Sequence, residues 1–585
     1  MTVGPPESTH WCVIGRTRNP DRPDEVAAVD LDSAGEKVGG VRLGEDELAD
    51  FVRDREAAAL RPRWVFSDAP RWYPAWLAAG VRIGRCHDLR LAHAILMRSE
   101  LVTEPGPLRE AADWDAGPVT AAAESDAVAL FDVEGGRDRA KEVPHDIDSA
   151  LAEFARQHSA LATAADPGRL RLLLAAESAG ALVAAEMHAA GAPWDVAEHD
   201  RILTEVLGPR PPLGAKPAKM QAVAEEVRVA LEDPRANLDS HAKLLSALHR
   251  AGINVASTSK WELAESDHPA IEPLLRYKKL ARLLSANGWH WLDEWIESGR
   301  YRPVYVPGGV VTGRWAASGG GALQIPRQLR PALRADPGWT LISADVAQLE
   351  PRALAAMSGD RAMAEAGREK DLYSGIVDSG IVATRQEAKI AVLGAMYGGT
   401  TGDSGRLVPR LRTSFPQAMA LVDSAAEVGA AGGVVSTWLG RTSPVPSEGW
   451  RQLQARANRF DATAQDEAIA RRAAGDQGRF TRNFVVQGTA AEWALAWLAD
   501  LRLRLSRLPA TTSVPASPSG PVFDSRAHLV FFLHDEVIVH SPLDQAEDAA
   551  EAIRAAAASA GRLLFGDAPV DFPLDLTIAE RAVKE

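Results

Sequence analysis

Two acids far apart in the chain are the first residues that could share chemistry. Asp345 ends the run Leu341-Ile342-Ser343-Ala344-Asp345, where apolar residues lead into a carboxylate as in a buried strand that delivers an acid to a cleft. Glu350 follows on the turn into a helical pattern, AQLEPRALAAM, with Pro351 near the helix start, where a missing N–H costs little. Taken alone, an acid at a strand end caps more often than it catalyses, so a second acid is needed. The run HLVFFLHDEVIVHS, residues 528–541, supplies one. Two β-prone segments joined at His534-Asp535-Glu536 predict a hairpin with Asp535 at its tip. Residues 345 and 535 can meet only through the fold.

A third stretch, Thr384–Gly399, reads TRQEAKIAVLGAMYGG. Thr384 with Glu387 is a capping-box signature, and Gly398-Gly399 would stop the helix. Arg385, Lys389, Leu393 and Tyr397 recur every fourth residue and form one stripe. Two cations, an apolar residue and a phenol make a poor core but a usable ligand surface, with charge for phosphates and apolar area for a base. In isolation such a stripe is by default a solvated helix edge.

The elements that must position these residues belong to a long chain. At 585 residues it exceeds one core and implies three or four subdomains. A short α/β alternation opens it, with β-like runs Trp11–Gly15 and Val26–Asp32, a helix at Glu45–Arg55 and a strand at Trp64. Residues 103–148 read as an irregular connection. Helices follow from Arg169 to Gly191 and through residues 192–300, then a β-rich piece at Arg302–Val311. Residues 361–480 are mostly helical, and Gln487–Leu508 is an amphipathic helix stopped at Pro509. The Pro/Ser/Thr run 509–520 reads as a linker, followed by the hairpin, a helix at Ala546–Ala560 and a final strand.

Composition excludes several classes. No apolar run is long enough to span a bilayer, and MTVGPPESTH is not a secretory signal, which together suggest a cytoplasmic protein without a membrane partner. Only Cys12 and Cys86 are present, so neither a disulfide framework nor a Cys-built zinc site is available. A formal net charge of −14 argues against coating of nucleic acid but leaves room for a local basic cleft.

Together and in this order, the motifs resemble those of the family A, or DNA polymerase I-like, DNA polymerases. The first matches as Asp345-Val346-Ala347-Gln348-Leu349-Glu350-Pro351-Arg352, the second as Arg385, Lys389, Leu393 and Tyr397-Gly398, and the third as His534-Asp535-Glu536. Thr312-Gly313-Arg314 with Leu323-Gln324 resembles the entry to the palm, and Arg479, Asn483 and Gln487-Gly488-Thr489 the primer-template helix. Ser257-Thr258-Ser259 and Tyr277-Lys278-Lys279-Leu280 resemble the thumb. The match covers roughly residues 170–585. It implies an α/β multidomain chain with a right-hand polymerase fold behind an RNase H-like exonuclease-type domain. The expected parts are that domain at 1–165, thumb at 166–300, palm at 301–360, fingers at 361–478 and the second part of the palm at 479–585.

Such an enzyme extends a primer 3′-hydroxyl with dNTPs on template DNA, in replication or repair, and its chemistry accounts for these residue types. Two Mg²⁺ ions about 4 Å apart, with Mn²⁺ able to substitute, are held by carboxylate and phosphate oxygens. The resemblance assigns the metals to Asp345 and Asp535, with Glu536 beside them. Arg385 and Lys389 would meet the triphosphate, while Gln348, Leu393 and Tyr397 would line the nucleotide site. Glu350 would close the space that a ribose 2′-OH needs. Arg314, Gln324, Arg479, Asn483, Gln487 and His534 would hold the primer-template, Arg314 and Gln487 through minor-groove acceptors. The expected partners are primer-template DNA and dNTPs, and the expected state is a monomer.

Three positions depart from the family pattern. Leu393 stands where Phe or Tyr is usual, Tyr373 stands for the fingers histidine, and Trp315 follows Arg314 without the usual small polar run. The first domain resembles the 3′→5′ proofreading exonuclease more faintly. Its second-motif Asp falls at Trp72 with Asp68 displaced, its opening Asp-x-Glu is at best Asp30-Leu31-Asp32, and no Tyr-x-x-x-Asp occurs near residues 150–175. A retained fold without its metals is the expectation, and no 5′ nuclease region is expected in this sequence. Three alternatives stand beside this one: a polymerase with active exonuclease, a single-subunit RNA polymerase, which a gate at Glu350 opposes, and a non-catalytic primer-template binding protein.

Overall fold

The computed structural model describes residues 9–116, 142–212, 214–321, 325–369, 371–399, 402–512 and 514–582. The chain divides into two compact units. The first comprises residues 1–191, 303–319 and 337–578, and the second residues 192–302, 320–336 and 579–585.

The first unit opens with a five-stranded sheet in the order Lys37–Gly44, Glu25–Leu31, Trp11–Arg16, Arg63–Phe66, Cys86–Asp88. The first three strands are antiparallel, and the last two run parallel to Trp11–Arg16. Helix Ile147–Ala162 covers one face through Phe154 against Val13 and Val65, while Trp64, Phe66 and Trp76 fill the other against Ala181 and Leu182. This arrangement is compatible with the RNase H-like domain expected here. Strand Lys37–Gly44 had no signal in the sequence. It is an edge strand whose residues are mostly exposed, so it lacks the apolar alternation of a half-buried strand.

The second sheet of this unit carries the acids. It runs His528–Leu533, Glu536–Pro542, Trp339–Val346, Leu574–Ala579, with the first three strands antiparallel. The central strands are buried on both faces, which explains their continuous apolar runs.

Several elements run differently from the sequence reading. Helix Pro167–Ala190 packs with the N-terminal sheet, since Ala181, Leu182 and Ala190 belong to that core. It ends at Gly191 as expected, with φ 66°. The helix expected from Gln487 begins much earlier, at Ala464, and continues to Leu505, so the boundary at 478/479 falls inside one helix. Its first half is polar because little of it is buried, and that hid its continuity. The run 509–520 is ordered where described: Thr511 and Ala516 amides donate to Ser525 and Asp524 carbonyls at 2.7 Å, and Ala516 and Ser519 are buried. The piece at 302–311 holds only the two-residue strand Tyr305–Val306, paired with Ala316–Ala317.

The second unit is mainly helical. Helices Ala218–Ala230, His241–Arg250 and Ile271–Asn287 surround Leu244, Leu248, Leu263 and Tyr277. Lys278 Nζ donates to Thr258 Oγ1 at 2.9 Å, which joins the two motifs quoted for the thumb.

Candidate active site

The sheet places Asp345 and Asp535 side by side. Asp345 lies opposite Glu536 in the ladder, and the Val346 amide donates to the Asp535 carbonyl at 2.8 Å. Asp535 occupies the tight turn between the hairpin strands, where its own amide donates to the Leu533 carbonyl at 2.6 Å. The hairpin is pinned from behind by Tyr305, whose hydroxyl donates to the Phe532 carbonyl at 2.8 Å and accepts the Phe532 amide at 3.0 Å. Both aspartates are half-buried, while Glu536 is buried.

Two non-glycine residues beside the acids hold left-handed backbone, Gln348 at φ 51° and His534 at φ 56°. Such a conformation costs about 1–3 kcal/mol and gathers at functional sites. Gln348 precedes helix Leu349–Ser358, which carries Glu350 in its first turn. Burial, and then Arg314, push the His534 imidazole down to about 4, so it is neutral at pH 7.

Helix Arg385–Tyr397 forms with the capping box read from Thr384 and Glu387 and stops at Gly398, φ 75°. Ala388, Val392, Ala395 and Met396 bury its back. The stripe Arg385, Lys389, Leu393, Tyr397 faces outward, and its last two residues line a cavity of about 230 Å³ with Gln348, Glu350, Tyr373, His534 and Asp535. Lys389 is exposed and makes no ion pair among the described residues. Tyr397 donates to Glu350 Oε2 at 2.5 Å, and Arg314 pairs with the other oxygen. Burial and the Glu350 charge raise the Tyr397 phenol well above its usual range. Burial also pushes Tyr373 up to about 12, so its phenol is neutral at pH 7.

A larger cleft of about 1800 Å³ gathers Arg314, Arg479, Asn483, Gln487 and His534. Thr312 donates to Gln487 Oε1 at 2.9 Å, Arg479 is paired with Asp476, and the buried Asn483 Oδ1 has no partner among the described residues. Gln324 lies outside the described residues. One residue was not singled out from sequence: Asp371 holds both Arg385 and Gln348. Its only local signal is a helix cap, and many aspartates share it.

In the N-terminal domain, strand Trp11–Arg16 carries no carboxylate. Asp30 is on the second strand, buried in a two-pronged ion pair with Arg55 at 2.9 and 3.1 Å. Asp32 closes a turn by accepting the Ala34 and Glu36 amides. Asp68 pairs with Arg90 at 3.2 Å, and Trp72 is buried. Asp30 and Asp32, the nearest match to an opening Asp-x-Glu, thus serve an ion pair and a turn.

Among the described residues, no group of three or more His, Cys, Asp or Glu side chains is arranged to hold a metal, and no helix is long and apolar enough to cross a membrane. Two adjacent aspartate carboxylates fit Mg²⁺ when triphosphate oxygens complete the shell.

Comparison with known proteins agrees with this geometry. The model of DNA polymerase family A matches residues 217–580. The thermostable DNA polymerase I of Thermus filiformis is 27% identical over 360 residues, covering 56% of this chain and 38% of that protein. DNA polymerase I of Chloroflexus aurantiacus is 28% identical over 351 residues, covering 55% and 33%. The matched part thus spans only about a third of these relatives. The structure is similar to the POL domain of Pol1 from M. smegmatis, solved with DNA primer-template and dNTP, at TM-score 0.65 and 17% identity over 96% of this chain and 93% of that one. The fold is therefore the polymerase fold, and the chain belongs to DNA polymerase family A.

Proposed function

We propose that this chain is a DNA-templated DNA polymerase that extends a primer 3′-hydroxyl with dNTPs, acts in replication or repair, and works as a cytoplasmic monomer. The observation that carries this is the pairing of Asp345 with the Asp535 turn, beside the cavity lined by Glu350, Leu393 and Tyr397. The two aspartates would hold divalent cations, Mg²⁺ by preference, which when bound lower the barrier to phosphoryl transfer by activating the attacking oxygen and steadying the leaving pyrophosphate.

The chain's own residues bind and orient. Arg385 and Lys389 are exposed in the first half of their helix and would neutralise a triphosphate. Leu393 offers apolar surface to the base and sugar. Glu350, fixed by Tyr397 and Arg314, fills space beside the sugar. The arginines and amides of the larger cleft suit a duplex, with Arg479 toward phosphates and Gln487 and Asn483 toward base edges. Neutral His534 can donate or accept without adding charge at the acids.

The N-terminal domain would be a retained fold without proofreading, since its first strand supplies no metal ligand and the acids nearby are held in ion pairs, turns and helix caps. Extension of a primed template by dNTPs with Mg²⁺ tests the reading, with rNTPs and a 3′-mismatched primer as the other arms. Extension with dNTPs alone is expected. Use of rNTPs would favour an RNA polymerase, and no extension would favour a binding protein.

A further inference from the structure

Arg385 is already occupied. Its Nε donates to Asp371 Oδ1 at 3.1 Å and its Nη2 to Oδ2 at 2.8 Å, a two-pronged charge-assisted contact. The same Oδ2 accepts Gln348 Nε2 at 2.9 Å, and Gln348 Oε1 accepts the Leu372 amide at 3.2 Å. Asp371 Oδ1 also caps helix Leu372–Asp378 by accepting the Ser374 amide at 2.8 Å. Asp371 therefore joins the start of one helix, the first residue of the Arg385 helix, and the strained Gln348 three positions after Asp345. The Arg385 guanidinium sits 5.5 Å from the ring of Tyr373, which lines the cavity.

We propose that Asp371 acts as a stand-in phosphate: it holds Arg385 in position when no nucleotide is bound and competes with the incoming triphosphate for the guanidinium, so that it sets nucleotide affinity. This inference rests on the polymerase reading above. The pair is open to exchange, with the Arg385 side chain 56% and the Asp371 side chain 29% exposed. A single partly exposed carboxylate binds a guanidinium weakly. A triphosphate with several charges can displace it, and the side chain of Asp371 determines how much affinity that exchange consumes. The contact to Gln348 keeps Asp371 in place after Arg385 leaves, so Asp371 is a positioning residue and does not touch the reacting atoms.

Asp371→Asn tests this, because Asn caps a helix as well as Asp and keeps an oxygen for the Ser374 amide while losing the charge. Asp371→Ser, also a good cap, is the second variant. In single-turnover extension the dNTP Kd is expected to fall about three-fold, the scale of a partly exposed ion pair, with the change in affinity rather than in maximal rate. Inorganic tripolyphosphate, titrated calorimetrically into the full chain without DNA, is expected to bind both variants tighter than wild type by a similar factor. In an Arg385→Ala background the Asn substitution is expected to change neither value. Unchanged or weaker binding in both variants overturns the proposal. An equal gain in the Arg385→Ala background also overturns it, by assigning the effect to loss of negative charge in general. If wild type extends no primer, the polymerase reading fails by itself, and the tripolyphosphate titration still decides the role of Asp371.

Discussion

Tyr397 donates its phenol proton to Glu350 at 2.5 Å, and the other oxygen of that carboxylate is taken by Arg314. Glu350 therefore fixes the end of one helix and the side chain of a cleft arginine at once. Replacing it with Ala opens space and releases both neighbours. Incorporation of rNTP relative to dNTP is expected to rise about ten-fold, the scale on which a pocket discriminates by size, with some loss of dNTP turnover. Single-nucleotide incorporation measures both, and equal discrimination by the two proteins would remove Glu350 from the sugar site.

Asp345 and Asp535 meet across one sheet, so each should matter independently of DNA binding. Asp345→Ala and Asp535→Ala are expected to abolish extension while primer-template affinity, followed by fluorescence anisotropy, persists. The proposed phosphate contacts come from other residues, such as Arg479 in the larger cleft. Normal turnover in either variant would contradict the assignment.

Leu393 lies on the cavity-facing stripe and is half-buried beside Tyr373 and Tyr397. A leucine offers apolar surface without a flat ring or hydroxyl, so it cannot replace the contact of a missing 3′-OH. The wild type is expected to discriminate against dideoxynucleotides, and Leu393→Tyr to relax that discrimination. The added ring should also strengthen nucleotide binding by about 1 kcal/mol. Incorporation ratios of dNTP to ddNTP that are equal for the two proteins would show that Leu393 does not face the sugar.

The buried pair Asp30–Arg55 gives a prediction about stability rather than hydrolysis. Removing one partner strands a buried charge, so Asp30→Ala is expected to cost about 3–5 kcal/mol in urea unfolding. With Mg²⁺ or Mn²⁺ and no dNTP, the wild type is expected to leave a mismatched primer 3′ end intact. Digestion that disappears in Asp30→Asn would place the residue in a nuclease site.

Local pattern determined much of this protein. The capping box at Thr384, the stop at Gly398 and the hairpin around Asp535 are written in short-range residue types, because capping and turn formation depend on neighbours within a few positions. The four-residue stripe followed from helix geometry alone. Helix 464–505 was only half legible, since its polar first half gives no apolar period and is held by what packs on it. Three matters were decided only by tertiary structure. Strand pairing set Asp345 against Glu536 across a separation of nearly two hundred residues, which no local rule encodes. Burial beside Arg55 turned Asp30 from a candidate ligand into an ion-pair partner, since a buried carboxylate must be paired. Chain crossing brought Asp371, a helix cap by sequence, onto Arg385 and Gln348, because a carboxylate accepts several hydrogen bonds and the fold supplied two more donors.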